Sequence, residues 1–436
     1  MNLSIKNLLV LLACCGTLLL AGCKGKSTTN NYNIKVTVSG LVGGGVVLQD
    51  NLADNLAITG NGVFTFASQL SSNSTYSVTM LTSPSLPAQS CTLANATGTV
   101  ASSDVTNITL TCVAPEFAYV ASSGGSSVAT YIINATNGAL SSAGPSVTTG
   151  NSPVAFAMDP TGRFAFVANS TDKSISSYLG NLTTGLLVSA GPAVLLSNAP
   201  NALAVDPLSK FLLVTAGNSI VSYTFNANGV LSSAGTATTG NAPSGIAVIS
   251  NSSNEYAYVT NGTDNTISGY SVNAAGVLTS LGVVAATGNK PSAISAAPNG
   301  AYVYVTNSTD GTISSYPVTA TGTLGVATTV ASGGNAPVSI AVSASGKIAY
   351  VANSTSNNVA AFSISAAGAL SSIGTATTGN TPSSVSVDPS GAFVYVVNST
   401  DNNISVYQLT ATGALPATVT VLSVGSTPVS VVTAVK

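Results

Sequence analysis

Short apolar runs that alternate with polar residues occupy almost the whole chain beyond its N-terminal segment, and from Phe117 to Tyr407 the alternation is repetitive. An aromatic or aliphatic opening and Val are followed by an Asn/Ser/Thr/Asp turn and a second short strand. The openings are Phe117-Ala-Tyr-Val, Phe164-Ala-Phe-Val, Phe211-Leu-Leu-Val, Tyr256-Ala-Tyr-Val, Tyr302-Val-Tyr-Val, Ile348-Ala-Tyr-Val and Phe393-Val-Tyr-Val, at spacings of 47, 47, 45, 46, 46 and 45 residues. In the unit 243–288 the pattern predicts strand A at Gly245–Ile249, strand B at Tyr256–Thr260, strand C at Thr266–Val272 and strand D at Leu278–Ala286. Gly, Asn and Asp between them supply turn conformations. An all-β repeat of this period predicts a seven-bladed β-propeller over residues 115–436.

Proline precedes each strand A, at Pro153, Pro200, Pro243, Pro291, Pro337, Pro382 and Pro428. The first strand B has no strand A before it, and the last strand A has no strand B after it. Pairing Val429–Val435 with Phe117–Ala121 would close the ring and leave no open edge. Residues 34–114 alternate without this repeat, in runs such as Ile34-Lys-Val-Thr-Val and Val105-Thr-Asn-Ile-Thr-Leu-Thr-Cys112, which predicts a small β-sandwich. Lys6 and the apolar run Leu8–Leu20 read as a secretory signal over residues 1–22, too short for a final membrane span. Residues 23–33 read as a polar tether.

Only 5% of the residues are charged, so the surface polarity is hydroxyl and amide. Without residues 1–22 the chain has 9 basic and 12 acidic residues, a balance of −3. That excludes nucleic acid as a partner. Beyond the signal and Cys23, only Cys91 and Cys112 remain, and in an oxidising compartment they are expected to pair.

Leu20-Ala-Gly-Cys23 looks like a bacterial lipobox, which implies a lipid on Cys23 and a membrane anchor. Lys24 after it implies outer-membrane sorting, with the protein facing the periplasm or the cell surface. Residues 34–114 resemble the immunoglobulin-like modules of bacterial surface lipoproteins, through Pro87-Ala-Gln-Ser-Cys91 and Thr109-Leu-Thr-Cys112. Tyr258-Val-Thr-Asn261, Tyr304-Val-Thr-Asn307, Asp159-Pro-Thr-Gly162 and Asp388-Pro-Ser-Gly391 make the repeats similar to the YVTN family and the lactonase-like seven-bladed propellers. This resemblance implies either a non-catalytic scaffold or a hydrolase of the 6-phosphogluconolactonase type.

The chemistry-bearing residues are few. Asp159, Asp206, Asp388 and Glu255 fall at the A–B turn, and Asp172, Asp264, Asp310 and Asp401 at the B–C turn, so the repeat explains them as turn residues. Propeller lactonases are thought to use histidine, arginine and acidic groups around the funnel, whereas this chain has no histidine and its one arginine, Arg163, aligns with Lys210 and Lys347 beside a turn. No catalytic residue, metal or cofactor is therefore expected. The D–A and B–C turns are expected on one face, presenting Asn151, Asn169, Asn241, Asn261, Asn289, Asn307, Asn335, Asn353, Asn380 and Asn398 to a glycan, peptide or protein. The expected function is a lipid-anchored, non-catalytic binding scaffold. The alternatives are a lactonase-like hydrolase and a self-assembling envelope protein.

Overall fold

The computed structural model describes residues 30–42, 44–84, 89, 91–113, 115–251, 254–416 and 420–435. Cys23 and the expected signal segment lie outside them. Every regular element among the described residues is a strand.

Residues 34–112 build two four-stranded sheets. One has the order 62–65, 34–39, 105–112, 91–94, and the other 54–58, 46–50, 75–82, 97–99. Ile34, Val36 and Val38 are buried while the residues between them are not, and they cluster with Leu48, Val78, Ile108 and Leu110 in a core of their own. Cys91 and Cys112 stand opposite each other across a strand pair and are joined by a disulfide. In the chain-entropy picture, a bridge across 21 residues of sequence stabilises the fold by about 3 kcal/mol.

Residues 116–435 form seven sheets, numbered here as blades 1 to 7 by their B strands: Glu116–Ser122, Phe164–Asn169, Phe211–Ala216, Asn254–Asn261, Tyr302–Asn307, Ile348–Asn353 and Phe393–Asn398. Strand A of blade 1 is Pro428–Val435, antiparallel to Glu116–Ser122 with Phe117 opposite Ala434 and Ala121 opposite Ser430. The A strands are innermost and touch in sequence, the last meeting the A strand of blade 2. B strands such as 164–169 and 393–398 are buried along their length, because neighbouring blades cover both faces. Seven apolar clusters fill the seams, from Phe117 with Phe156 between blades 1 and 2 to Ala118 with Phe393 between blades 7 and 1.

These seams explain the recurring aromatic-x-Tyr-Val. Gly185 in the C–D turn of blade 2 lies so close to Phe117 of blade 1 that a Cβ there would stand 2.3 Å from the ring. Two residues on, the Tyr119 hydroxyl donates to the Gly185 carbonyl at 2.9 Å. Tyr258 to Gly322 (2.9 Å), Tyr350 to Gly413 (2.8 Å) and Tyr395 to Gly138 (2.9 Å) repeat this latch. Phe166 and Leu213 have no hydroxyl to offer. At their seams the Ser209 hydroxyl donates to Asp159 at 2.9 Å and Lys210 pairs with Glu255 at 3.1 Å.

Candidate functional site

Strands end on two faces, and the D–A and B–C turns share one of them because they hydrogen-bond to each other. The Asn241 backbone N–H donates to Asp264 Oδ2 at 2.8 Å and its side-chain Nδ2 to Oδ1 at 2.9 Å. Asn151 with Asp172, Asn289 with Asp310 and Asn380 with Asp401 repeat the clamp. Donation first from backbone and then from side chain holds these four carboxyls below the usual range. In blade 6 the Asn335 N–H donates to Ser356 Oγ at 2.7 Å.

The ten asparagines do not form one open ring, which corrects the expectation. Asn169, Asn261, Asn307, Asn353 and Asn398 are completely buried. Their Nδ2 groups are spent inside the blade, as from Asn261 to Thr266 and Ser268, both at 3.0 Å. Asn151, Asn241, Asn289, Asn335 and Asn380 are exposed, but the amides of Asn151, Asn241, Asn289 and Asn380 are tied to aspartate. What the sequence offered as a ligand face is mostly the fastening of one turn to the next.

A different group of residues faces outward near the axis. In all seven A–B pairs the register slips directly after the proline, so that Val154, Asn201, Ser244, Ser292, Val338, Ser383 and Val429 are left out of the ladder. A bulge re-aims its side chain. Asn201, Ser244 and Ser292 each donate to the proline carbonyl of the next A strand, at 3.1, 2.6 and 2.6 Å. These three polar bulges belong to consecutive blades 3, 4 and 5, and with Thr263, Thr309 and Lys290 they line a cavity of about 690 Å³.

Two residues at the place before the proline give this cavity its chemistry. In blades 2 and 7 the hydroxyls of Thr171 and Thr400 in the B–C turn bond to Ser152 (2.9 Å) and Thr381 (2.8 Å). In blades 4 and 5 the partner positions hold Ala242 and Lys290, which leaves the side chains of Thr263 and Thr309 without that bond. Lys290 is exposed, with its N–H held by Asn265 Oδ1 at 2.7 Å and φ at 55°. Among the described residues its ammonium has no ion-pair partner, and no carboxylate lines the cavity.

The sequence profile of the family Lactonase, 7-bladed beta-propeller matches residues 87–205, 209–339 and 327–433, well over half of the chain. The chain belongs to this lactonase family. No curated protein matches it. Its fold is shared with a candidate 6-phosphogluconolactonase of Bacteroides fragilis (19% identity, TM-score 0.65, 73% of this chain and 98% of that one). It is also shared with the periplasmic gluconolactonase of Pseudomonas aeruginosa (18% identity, TM-score 0.63, 73% and 99%).

Two further features of this lactonase-family propeller lie at the opposite end of the B strands. Arg163 is exposed and its guanidinium stands 5.4 Å from the centre of the Phe164 ring, far along the strand from the cavity. Glu116, which turn chemistry does not explain, heads the strand B of blade 1 and lies beside the buried Asp388 of blade 7. Burial, and then the Asp388 charge, push its carboxyl up to about 7. Comparing equivalent positions blade by blade would have marked Lys290, the only charged residue at its place before the proline, whereas Glu116, whose place in blade 4 also holds an acid, Glu255, stands out only through the acid it faces across a seam.

Proposed function

We infer that the protein is an envelope lactonase acting on a sugar lactone at the cavity between blades 3, 4 and 5. One observation carries the reading: the lactonase profile runs through every blade that builds that cavity. Its volume suits a small sugar, and its wall of hydroxyls and amides suits a ligand dense in hydroxyl groups. Purified full-length protein is expected to hydrolyse D-glucono-1,5-lactone faster than buffer alone, followed by base uptake at constant pH. Asn201→Ala should lower that rate, whereas Arg163→Ala, altered at the far face, should not. A rate equal to that of buffer would overturn the reading.

A second reading, a non-catalytic scaffold binding a glycan, peptide or protein, is favoured by one fact: among the described residues no carboxylate lines the cavity to serve as a base. Saturable lactone binding without turnover would select it. In either case the sandwich over 34–114 serves as an immunoglobulin-like spacer, and Cys23 carries the lipid anchor. Cys23→Ser is expected to move the protein from the membrane to the soluble fraction. Unchanged sedimentation with membranes would count against the anchor.

A further inference from the structure

We propose that Lys290, with the hydroxyls of Thr263 and Thr309, forms a subsite for a carboxylate carried on a polyhydroxylated ligand. The inference takes the cavity as the functional site, as above, and adds what enters it.

Seven equivalent positions precede the seven A-strand prolines, and they hold Ser152, Ala199, Ala242, Lys290, Ala336, Thr381 and Thr427. Only one is charged, and that one borders the cavity. A solvated surface cation would fit any blade, but here the same pair of substitutions, Ala242 and Lys290, also removes the internal partners of two threonine hydroxyls that line the same cavity. Charge and unspent hydroxyls thus arise together, next to Asn201, whose Oδ1 accepts no hydrogen bond among the described residues.

One ammonium without an ion-pair partner among the described residues attracts an anion. The choice of anion follows from number. A phosphate dianion carries close to two charges and is held best by a bidentate arginine fork or by backbone N–H groups together with a cation, and this cavity offers one point charge. A carboxylate carries a single charge, which Lys290 balances, and accepts two further bonds from hydroxyl donors. The bulged Ser244 and Ser292, already bonded to proline carbonyls, brace the floor instead of binding. The remaining acceptor, Asn201 Oδ1, suits a ligand hydroxyl. A sugar acid, free or as the uronate end of a glycan, has both parts.

Calorimetric titration of the full-length protein with sodium gluconate, trigalacturonate and glucose tests this. At low salt the wild type is expected to bind at least one of the two acids and to bind it more tightly than glucose, and added salt should erode the difference. Lys290→Gln should weaken acid binding about tenfold, the scale of one charge-assisted bond, and leave glucose unchanged. Lys290→Arg should retain most of it. Preference for gluconate assigns the subsite to a free sugar acid and preference for trigalacturonate to a glycan end. Equal affinity for acid and glucose, or a Lys290→Gln protein that binds acid like wild type, overturns the proposal. Gluconolactone turnover in the same wild-type preparation separates the two readings: acid binding without turnover removes the hydrolase and keeps the subsite, and turnover with charge-indifferent binding does the reverse.

Discussion

At Gly240 the chain passes so near the following turn that an added Cβ would stand 2.6 Å from Asp264 Oδ2 and 2.7 Å from Asn261 Cγ. The same holds at Gly150, Gly288 and Gly379, which is why Thr-Gly-Asn recurs: the glycine admits the clamp that the asparagine completes. Gly240→Ala should therefore cost about 1–3 kcal/mol by overpacking, read as a lower denaturation midpoint in urea. Gly235→Ala, where the nearest atom is 4.0 Å from the new carbon, should cost far less. Equal losses at the two positions would mean that the contact with the clamp is not the cause. The repeated motif itself was legible in sequence, but its meaning was not. Asn261 and Asn241 read alike as polar turn residues, yet one is buried and the other exposed, because burial in a turn depends on which neighbour folds over it. Lys290 escaped for the opposite reason: a search for recurring chemistry passes over the residue that occurs once.

The strands were easier, since period-two alternation and turn residues are local properties. In blade 4, strands C and D run Thr266–Val272 and Leu278–Ala286 as the pattern predicts, while A and B extend further, to Pro243–Asn251 and Asn254–Asn261. The sandwich hid two strands, Cys91–Ala94 and Thr97–Thr99, because both are short edge segments with little apolar alternation. Nor did the pattern show the slip after each proline, which follows from pairing between strands. At this scale the tyrosine latch is the element that holds blade to blade. Tyr258→Phe keeps the ring and deletes the donor to the Gly322 carbonyl, so it should cost about 1 kcal/mol. In blade 5, Ser315 Oγ already bonds the Gly368 carbonyl at 2.8 Å, so Tyr304→Phe should cost less. Equal urea midpoints for the two variants would show that the ring, not the hydroxyl, sets the seam.

The ring as a whole depends on one seam made from opposite ends of the domain. Val429, Val432 and Ala434 pack into the cluster between blades 1 and 2, while Val431 packs into that between blades 7 and 1, so strand 428–435 serves both sides of the closure. The outer part of that second seam brings together Glu116 and Asp388, two acids, with Tyr350 and Tyr395 beside them. The Glu116 carboxyl is raised from an ordinary value of 4.5 to about 7, so the folded state holds its proton more tightly than the unfolded chain does. Its contribution is complete below the unfolded value and is lost as pH rises through the folded one. The melting temperature should accordingly fall between about pH 5 and 8 as the seam takes on a second negative charge. Glu116→Gln removes that charge and keeps a donor toward Asp388. It should flatten this slope and melt higher than wild type at the alkaline end, as measured by calorimetry at constant ionic strength. A variant whose melting temperature falls as steeply as wild type would place the pH dependence elsewhere and leave the closing seam held by apolar packing and strand pairing alone.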